Sequence, residues 1–249
     1  MTWQTGAQAP RLTVVVMAFN EAASLVETVG EIQAELAHTG LAHEVLIVDD
    51  GSNDGTAALA DQLGERFPAV RVVHHHANLG LGGVYRTGFT TACGELITFF
   101  PADGQFPASI VSQFMQQIDG RDMVLGYVAG RREKGLGKTL SWCERRLYEA
   151  VVGITPRFQG VLMFRRHLLE RFPPQCTGRG WGVLMEFIIK VHRGGAATVS
   201  VPTSYRPRLK GRSKVNNWRT IRANLVELWV VRDHLSSQGG HGPRAIDVV

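Results

Sequence analysis

Asp103 and Gln105 are a carboxylate and an amide two residues apart, within Phe99-Phe100-Pro101-Ala102-Asp103-Gly104-Gln105-Phe106-Pro107. Two such oxygens at the end of a strand can share one hard cation, and Mg²⁺ commonly bridges a few protein oxygens to substrate phosphates. The same residues would also suit a plain strand-to-helix loop with a capping aspartate, and on this stretch alone that reading is the simpler one. Two other loops shift the balance. Glu21 follows an apolar run at the start of the chain, and Asp49-Asp50-Gly51-Ser52-Asn53-Asp54-Gly55-Thr56 follows the next one. Three acidic loops in equivalent positions say more than any one of them.

Such loops need a scaffold that carries distant parts of the chain to one edge. Leu12 to Met17 is a short β-branched run and predicts a buried parallel strand, with Ala18-Phe19-Asn20-Glu21 as the loop after it. From Glu21 to Ala37, the residues Leu25, Val29, Ile32 and Leu36 share one helical face. Further strands are expected at Glu44 to Val48, Val70 to His74, Glu95 to Phe100 and Met123 to Leu125. Helices are expected between them at Ala57 to Phe67, from about Gly83 to Cys93, and at Pro107 to Ile118. This alternation predicts an α/β domain with a mainly parallel, Rossmann-like sheet flanked by helices. Ligands of such sheets sit beyond the carboxyl ends of the strands, where Glu21, Asp50 and Asp103 all fall. Gly126 to Gly137 is a Gly- and Arg-rich loop long enough to carry function. Beyond it the pattern predicts a helix at Lys138 to Val152, a strand at Gly160 to Arg165, a helix at Gly182 to His192 and a strand at Thr198 to Val201. A basic loop, Tyr205 to Lys214, precedes a last amphipathic helix, Asn217 to Leu235. The organisation is therefore a tail (1–11), one domain (12–215), an amphipathic helix (216–237) and a flexible tail (238–249).

The 249 residues, 44% of them apolar, suffice for one α/β core. A net charge of +5 suits an anionic partner without choosing among nucleotide, lipid phosphate, membrane surface and nucleic acid. Three scattered cysteines, Cys93, Cys143 and Cys176, have no zinc spacing and predict a reducing compartment. No run reaches the roughly 18 apolar residues of a membrane span, and Met1 to Pro10 lacks the regions of a signal peptide. A cytoplasmic protein is expected, with peripheral membrane contact open to it. His74, His75 and His76 cannot converge on one metal from a strand, because alternate side chains face opposite ways; they read as a loop edge. Gly80 to Gly83 lacks the Lys and Ser/Thr of a phosphate loop.

With these loops in view, the chain resembles the family 2 inverting glycosyltransferases, and within them the dolichol-phosphate mannose synthases and bacterial polyprenyl-phosphate relatives. The resemblance runs from about Leu12 to Lys214. Val48-Asp49-Asp50-Gly51-Ser52 is nearly ideal for the family, Asn78, Gly80 and Gly88 match its next pattern, and Arg208-Leu209-Lys210-Gly211-Arg212-Ser213-Lys214 matches its Arg-x-x-Gly-x-Ser-Lys signature. The resemblance implies a single nucleotide-sugar-binding domain of the GT-A type. It implies that Phe19, Glu21, Val48, Asp50, Ala102, Asp103, Gln105, Arg131, Arg208, Ser213 and Lys214 bind the nucleotide sugar, with Asp50 on the nucleoside. It further implies Asp103 and Gln105 as ligands of Mg²⁺ or Mn²⁺, and Asp103, Arg208 and Lys214 as catalytic groups. There are departures. Met17 and Phe19 replace a Pro and a Tyr, Val128 follows Gly126-Tyr127 where an Arg is usual, and Thr155 to Gln159 lacks an Asp. Pro101 stands where the metal motif Asp-x-Asp-x-Gln has its first carboxylate, which should weaken cation affinity and leaves strict metal dependence open.

The expected reaction is inverting transfer of a hexose from GDP-mannose or a UDP-sugar to a polyprenyl or dolichyl phosphate. A phosphate acceptor is already ionised and needs no general base, so the missing carboxylate near Gly160 is tolerable. A hydroxyl acceptor, with Glu186 as its base, is the alternative. A degenerate nucleotide-sugar-binding protein is a third reading. A nucleic-acid partner is not expected, since no aromatic platform is interleaved with the basic residues. Trp218, Trp229 and three arginines on the last helix suit a membrane interface or, equally, a helix packed on the domain with a solvated basic face.

Overall fold

The computed structural model describes residues 10–128, 158, 160–207, 229–235 and 247–248. The strands are β1 (Leu12–Ala18), β2 (His43–Asp49), β3 (Val70–His74), β4 (Leu96–Pro101), β5 (Met123–Val128), β6 (Leu162–Arg165), β7 (Thr198–Thr203) and β8 (Asp247–Val248). They form one sheet in the order β3-β2-β1-β4-β6-β5-β7-β8. All neighbours pair in parallel except β6, which is antiparallel to both β4 and β5.

The helices are α1 (Leu25–Thr39), α2 (Thr56–Arg66), α3 (Gly80–Thr91), α4 (Ser109–Gln117), α5 (His167–Arg171) and α6 (Gly182–Arg193). They cover both faces, and the pleat of each strand sorts its side chains between them. On β1, Leu12, Val14, Val16 and Ala18 join Leu25, Val29, Ile32 and Leu36 of α1 and Phe114 of α4. Val15 points the other way, into a second core with Tyr85 of α3, Phe99 of β4 and Phe187 of α6. Burial on both faces is why β1 reads as a continuous apolar run. Gly88 lets α3 lie close to the sheet, since a Cβ there would come 2.5 Å from the Phe99 ring.

The chain steps outward from β1 to β2 and β3, then crosses back to place β4 on the other side of β1. That reversal opens a crevice beyond the carboxyl ends of β1 and β4, with β2 beside it. The register sets Ala18 level with Asp49 and Met17 level with Pro101. Backbone bonds carry the pairing one step further, from Asp50 N–H to the Ala18 carbonyl (2.8 Å) and from Ala102 N–H to the Met17 carbonyl (3.0 Å). The acidic loops are thus held as direct extensions of paired strands.

Four features add to or differ from expectation. Helix α1 starts at Leu25 rather than Glu21, because Asn20 takes a left-handed conformation (φ 52°) and the Glu21 carbonyl accepts the N–H groups of Ser24 and Leu25 in a tight turn. The short helix α5 is additional; its five residues are too few for a periodic pattern to stand out. The antiparallel setting of β6 is decided by chain reversal, which strand composition does not record. Asp247–Val248, inside the segment expected to be a flexible tail, pairs in parallel with Val199–Ser200 of β7. Of the expected last helix only residues 229–235 are described; they are helical, with Val231 and Leu235 buried in the second core. Among the described residues no helix is long and apolar enough to cross a membrane.

Candidate active site

The loops after β1 and β2 are zipped together, chiefly by side chains of the second acting on the backbone of the first. Asn20 N–H donates to Ser52 Oγ (2.8 Å), Asn53 N–H to Asn20 Oδ1 (2.8 Å), Glu21 N–H to Thr56 Oγ1 (2.9 Å) and Ala22 N–H to Asp54 Oδ2 (3.2 Å). These bonds give the N–H groups ahead of α1 partners that the helix itself cannot supply. At Asp54, burial works to raise the carboxyl, but hydrogen bonds from Thr56 and Ala22 outweigh it and hold the group below its ordinary value. The run of small polar residues is therefore more than generic loop chemistry: Ser52, Asp54 and Thr56 each hold the first loop in place.

Asp49 and Asp50 are both buried, and each is committed. Asp49 accepts Ser52 N–H on Oδ1 (3.2 Å) and faces His74 Nδ1 with Oδ2 (2.9 Å). Asp50 takes His75 Nδ1 (2.7 Å) and Leu79 N–H (2.8 Å) on Oδ1, and Gly80 N–H (2.9 Å) on Oδ2. Its carboxylate sits at the N-terminus of α3, where unpaired N–H groups and the helix dipole favour an anion. Gly51 makes this approach possible. It has a φ of 70°, and a Cβ would lie 2.7 Å from the Ala77 carbonyl carbon.

Across the crevice, the loop after β4 is anchored beneath and beside. Ala102 is buried, and its carbonyl accepts Thr28 Oγ1–H (3.2 Å). Asp103 is 8% exposed and accepts Gln105 N–H on Oδ1 (3.1 Å). The Gln105 amide donates through Nε2 to Tyr205 Oη, and among the described residues its carbonyl oxygen is the group available to a ligand. Its backbone carbonyl accepts Arg206 N–H (2.7 Å). Arg206 pairs with Glu31 of α1 (2.8 Å), and Tyr205 packs edge-on against Phe106 with ring centroids 5.4 Å apart. The carboxylate and amide oxygens of Asp103 and Gln105 are hard donors, as Mg²⁺ or Mn²⁺ requires. Among the described residues no group of three or more His, Cys, Asp or Glu is set to hold a metal. A cation here would therefore share its shell with oxygens from outside that loop.

The structure thus brings Phe19, Glu21, Asp50, Asp103 and Gln105 to one rim of the sheet. Val48 lies wholly buried, one residue before Asp49. Arg131, Arg208, Ser213 and Lys214 lie outside the described residues, as do Arg132, the expected helix at 138–152 and most of that at 217–235. One expectation is corrected. Glu186, considered as a base, is 0% exposed on α6. Its Oε2 accepts Gln175 N–H (3.0 Å) and Cys176 N–H (2.6 Å), and its Oε1 forms an ion pair with Lys190 Nζ at 2.7 Å. It is a structural pin. The histidine run stands at the loop edge, as expected, but two of its members are engaged. His74 closes β3 and lies between Asp49 and Asp61 (2.9 and 3.0 Å), while His75 is buried against Asp50. Strand-face alternation, taken one step further, could have found this: if the two neighbours part, one of them must turn inward.

The sequence profile of Glycosyl transferase family 2 matches residues 13–176, which covers every element from β1 to α5 and all three acidic loops. The chain belongs to that family. This family 2 glycosyltransferase is 30% identical over 247 residues to the polyprenol monophosphomannose synthase of Mycolicibacterium smegmatis, covering 92% of this chain and 91% of that protein. It is 26% identical over 221 residues to the undecaprenyl-phosphate mannosyltransferase of Micrococcus luteus, covering 83% and 88%. Its fold matches the mannosyltransferase PcManGT of Pyrobaculum calidifontis, solved in complex with GDP-Man and Mn²⁺. The TM-score is 0.66 at 22% identity, over 95% of this chain and 66% of that one. The fold is therefore the GT-A type that the motifs imply, and the chain is a glycosyltransferase.

Proposed function

We propose that this enzyme transfers a hexose from a nucleotide sugar to a polyprenyl phosphate, with inversion, and that GDP-mannose is its donor. What supports the reading is that Asp50 and Asp103 follow β2 and β4 on one rim of the sheet, on either side of β1 where the strand order reverses, in a chain whose relatives are named for polyprenyl-phosphate mannose transfer. A phosphate oxygen of the lipid attacks the anomeric carbon from the face opposite the diphosphate. The new bond joins that oxygen to the anomeric carbon; the old bond to the diphosphate oxygen breaks, and the nucleoside diphosphate leaves with the electron pair. The attacking oxygen carries no proton near neutral pH, so no base is required. The burial of Glu186 and its ion pair with Lys190 support this choice over a hydroxyl acceptor.

In this reading Asp50 meets the nucleoside, and Phe19, Glu21, Val48 and Ala102 line the donor around it. Asp103 and Gln105 hold a divalent cation, which supplies Lewis-acid stabilisation of the departing diphosphate. Pro101 withholds one anionic ligand, so the cation is bound more weakly than by a two-carboxylate motif. Arg131, Arg208, Ser213 and Lys214 add fixed positive charge and hydrogen bonds at the diphosphate. The tether of Tyr205 and Arg206 to Gln105 favours this, because it holds the chain beside the cation loop two positions before Arg208 in the sequence. The acceptor lies at a membrane surface that the enzyme meets peripherally from the cytoplasmic side.

Labelled GDP-mannose incubated with the enzyme, Mg²⁺ or Mn²⁺ and a polyprenyl phosphate should give an organic-soluble product labile to mild acid. UDP-glucose in a parallel arm tests the base. Label that stays in the aqueous phase with lipid phosphate, yet moves to a glycan or small hydroxyl acceptor, would overturn the reading; nucleotide binding with no turnover on any acceptor would do so as well.

A further inference from the structure

His75 is the buried residue of the histidine run, and nothing in the chemistry so far employs it. Its side chain is 7% exposed and that of Asp50 is 4% exposed. His75 Nδ1 lies 2.7 Å from Asp50 Oδ1, and Nε2 lies 2.8 Å from Thr87 Oγ1 on α3. An ionised carboxylate only accepts, so the proton of that bond sits on Nδ1. The ring is thereby stretched between the β2 loop and the second turn of α3. An ionised carboxylate offers about four acceptor positions. Among the described residues, His75 and Leu79 fill two at Asp50 Oδ1 and Gly80 fills one on Oδ2, which leaves a single direction on Oδ2. The two backbone donors arrive from adjacent residues at one helix end, so they fix an edge of the carboxylate without fixing its plane. His75, from a different strand end, supplies the third point.

We infer that His75 is a positioning residue for donor binding: it orients the Asp50 carboxylate so that the open acceptor of Oδ2 faces an N–H group of the nucleobase. This deepens the proposed function and rests on its assignment of the nucleoside to Asp50. The contribution lies in how tightly the nucleoside is held and is the same before and during bond breaking. It should therefore appear in KM and not in kcat.

The test uses calorimetry with GDP and Mg²⁺, and steady-state kinetics, on the parent and three variants. His75→Leu removes the donor. His75→Asn keeps an N–H close to the position of Nδ1 while losing the link to Thr87. Asp50→Asn tests the underlying assignment. We expect His75→Leu to weaken GDP binding about tenfold or more, in keeping with a hydrogen bond to a charged group, with kcat at saturating donor within about threefold of the parent. His75→Asn should stay within about threefold of the parent in both. Equal weakening by Leu and Asn would mean that the ring only fills space, and would overturn the inference. So would unchanged binding by His75→Leu alongside a loss in Asp50→Asn. Parent-like GDP binding by Asp50→Asn would instead remove the nucleoside assignment itself. If His75→Leu does not fold, the Nδ1–H proton resonance of the parent decides: it should move on adding GDP, and an unmoved resonance at saturation overturns the inference.

Discussion

Replacing Glu186 by Gln separates a structural pin from a catalytic base. The Glu186 carboxylate is 0% exposed, and the Lys190 side chain beside it is 4% exposed, with 2.7 Å between Nζ and Oε1. The amide of Gln can still accept the N–H groups of Gln175 and Cys176, so the loop ahead of α6 keeps those bonds. What is lost is the negative charge, and an ammonium is left buried without its counter-ion. Breaking a buried pair on one side costs about 3–5 kcal/mol. Lys190 also donates to the Pro173 carbonyl at 2.9 Å, which places the cost at the lower end, about 3 kcal/mol. For a chain of this size each kcal/mol shifts Tm by about 2–4 °C, so the melting point should fall by about 6–12 °C. Thermal denaturation followed by circular dichroism reads this directly, and activity per folded molecule should stay within about twofold. A second replacement, Lys190→Met, removes the stranded charge and should recover about half of the loss or more, because the two effects couple through one contact. A melting point within about 2 °C of the parent, together with a fall in kcat of about a hundredfold, would refute the reasoning.

Two further outcomes follow from the same structure. Pro101→Asp restores the carboxylate missing from the cation loop, and should tighten Mn²⁺ binding in the presence of GDP by about tenfold, measured by electron paramagnetic resonance of the free ion; unchanged affinity would place the cation elsewhere. His74 is raised above its ordinary value near 6.5, first by its hydrogen bond to Asp49 and then by that to Asp61. A folded-state value above the unfolded one contributes stability that is complete below about pH 6.5 and is lost as pH rises through the raised value. The gap in urea midpoint between the parent and His74→Asn should therefore be present at about pH 5.5 and close by about pH 8.5, and a gap that widened with pH would exclude the assignment. Its size should stay below about 1 kcal/mol, because the ring is partly solvated.

Much of this protein could be read from one dimension. The β-branched run at Leu12 to Met17, the helical face of Leu25, Val29, Ile32 and Leu36, and the strand at Val70 to His74 stand where local pattern puts them, because burial on a pleated or helical surface imposes a period on the chain. The alternation of strand and helix sufficed for a parallel sheet. That in turn sufficed to place Glu21, Asp50 and Asp103 on one rim, since crossovers have one hand and strand ends share one edge.

What remained hidden depends on which surfaces meet. The pairing of Ser52, Asp54 and Thr56 with the backbone of Asn20 to Ala22 joins residues more than thirty positions apart, and no local period encodes it. Glu186 looked like a free acid because its partners, Lys190 apart, are backbone N–H groups of a separate loop and His234, whose Nδ1 lies 3.6 Å from Oε1. His75 looked like part of a loop edge and no more, because its partners Asp50 and Thr87 are contributed by two other elements. Composition and spacing determined the fold class, the rim and the acids upon it. Only tertiary contact decided which of those acids are already engaged and what holds them, because a hydrogen bond between distant segments depends on a separation in space that the order of residues does not contain.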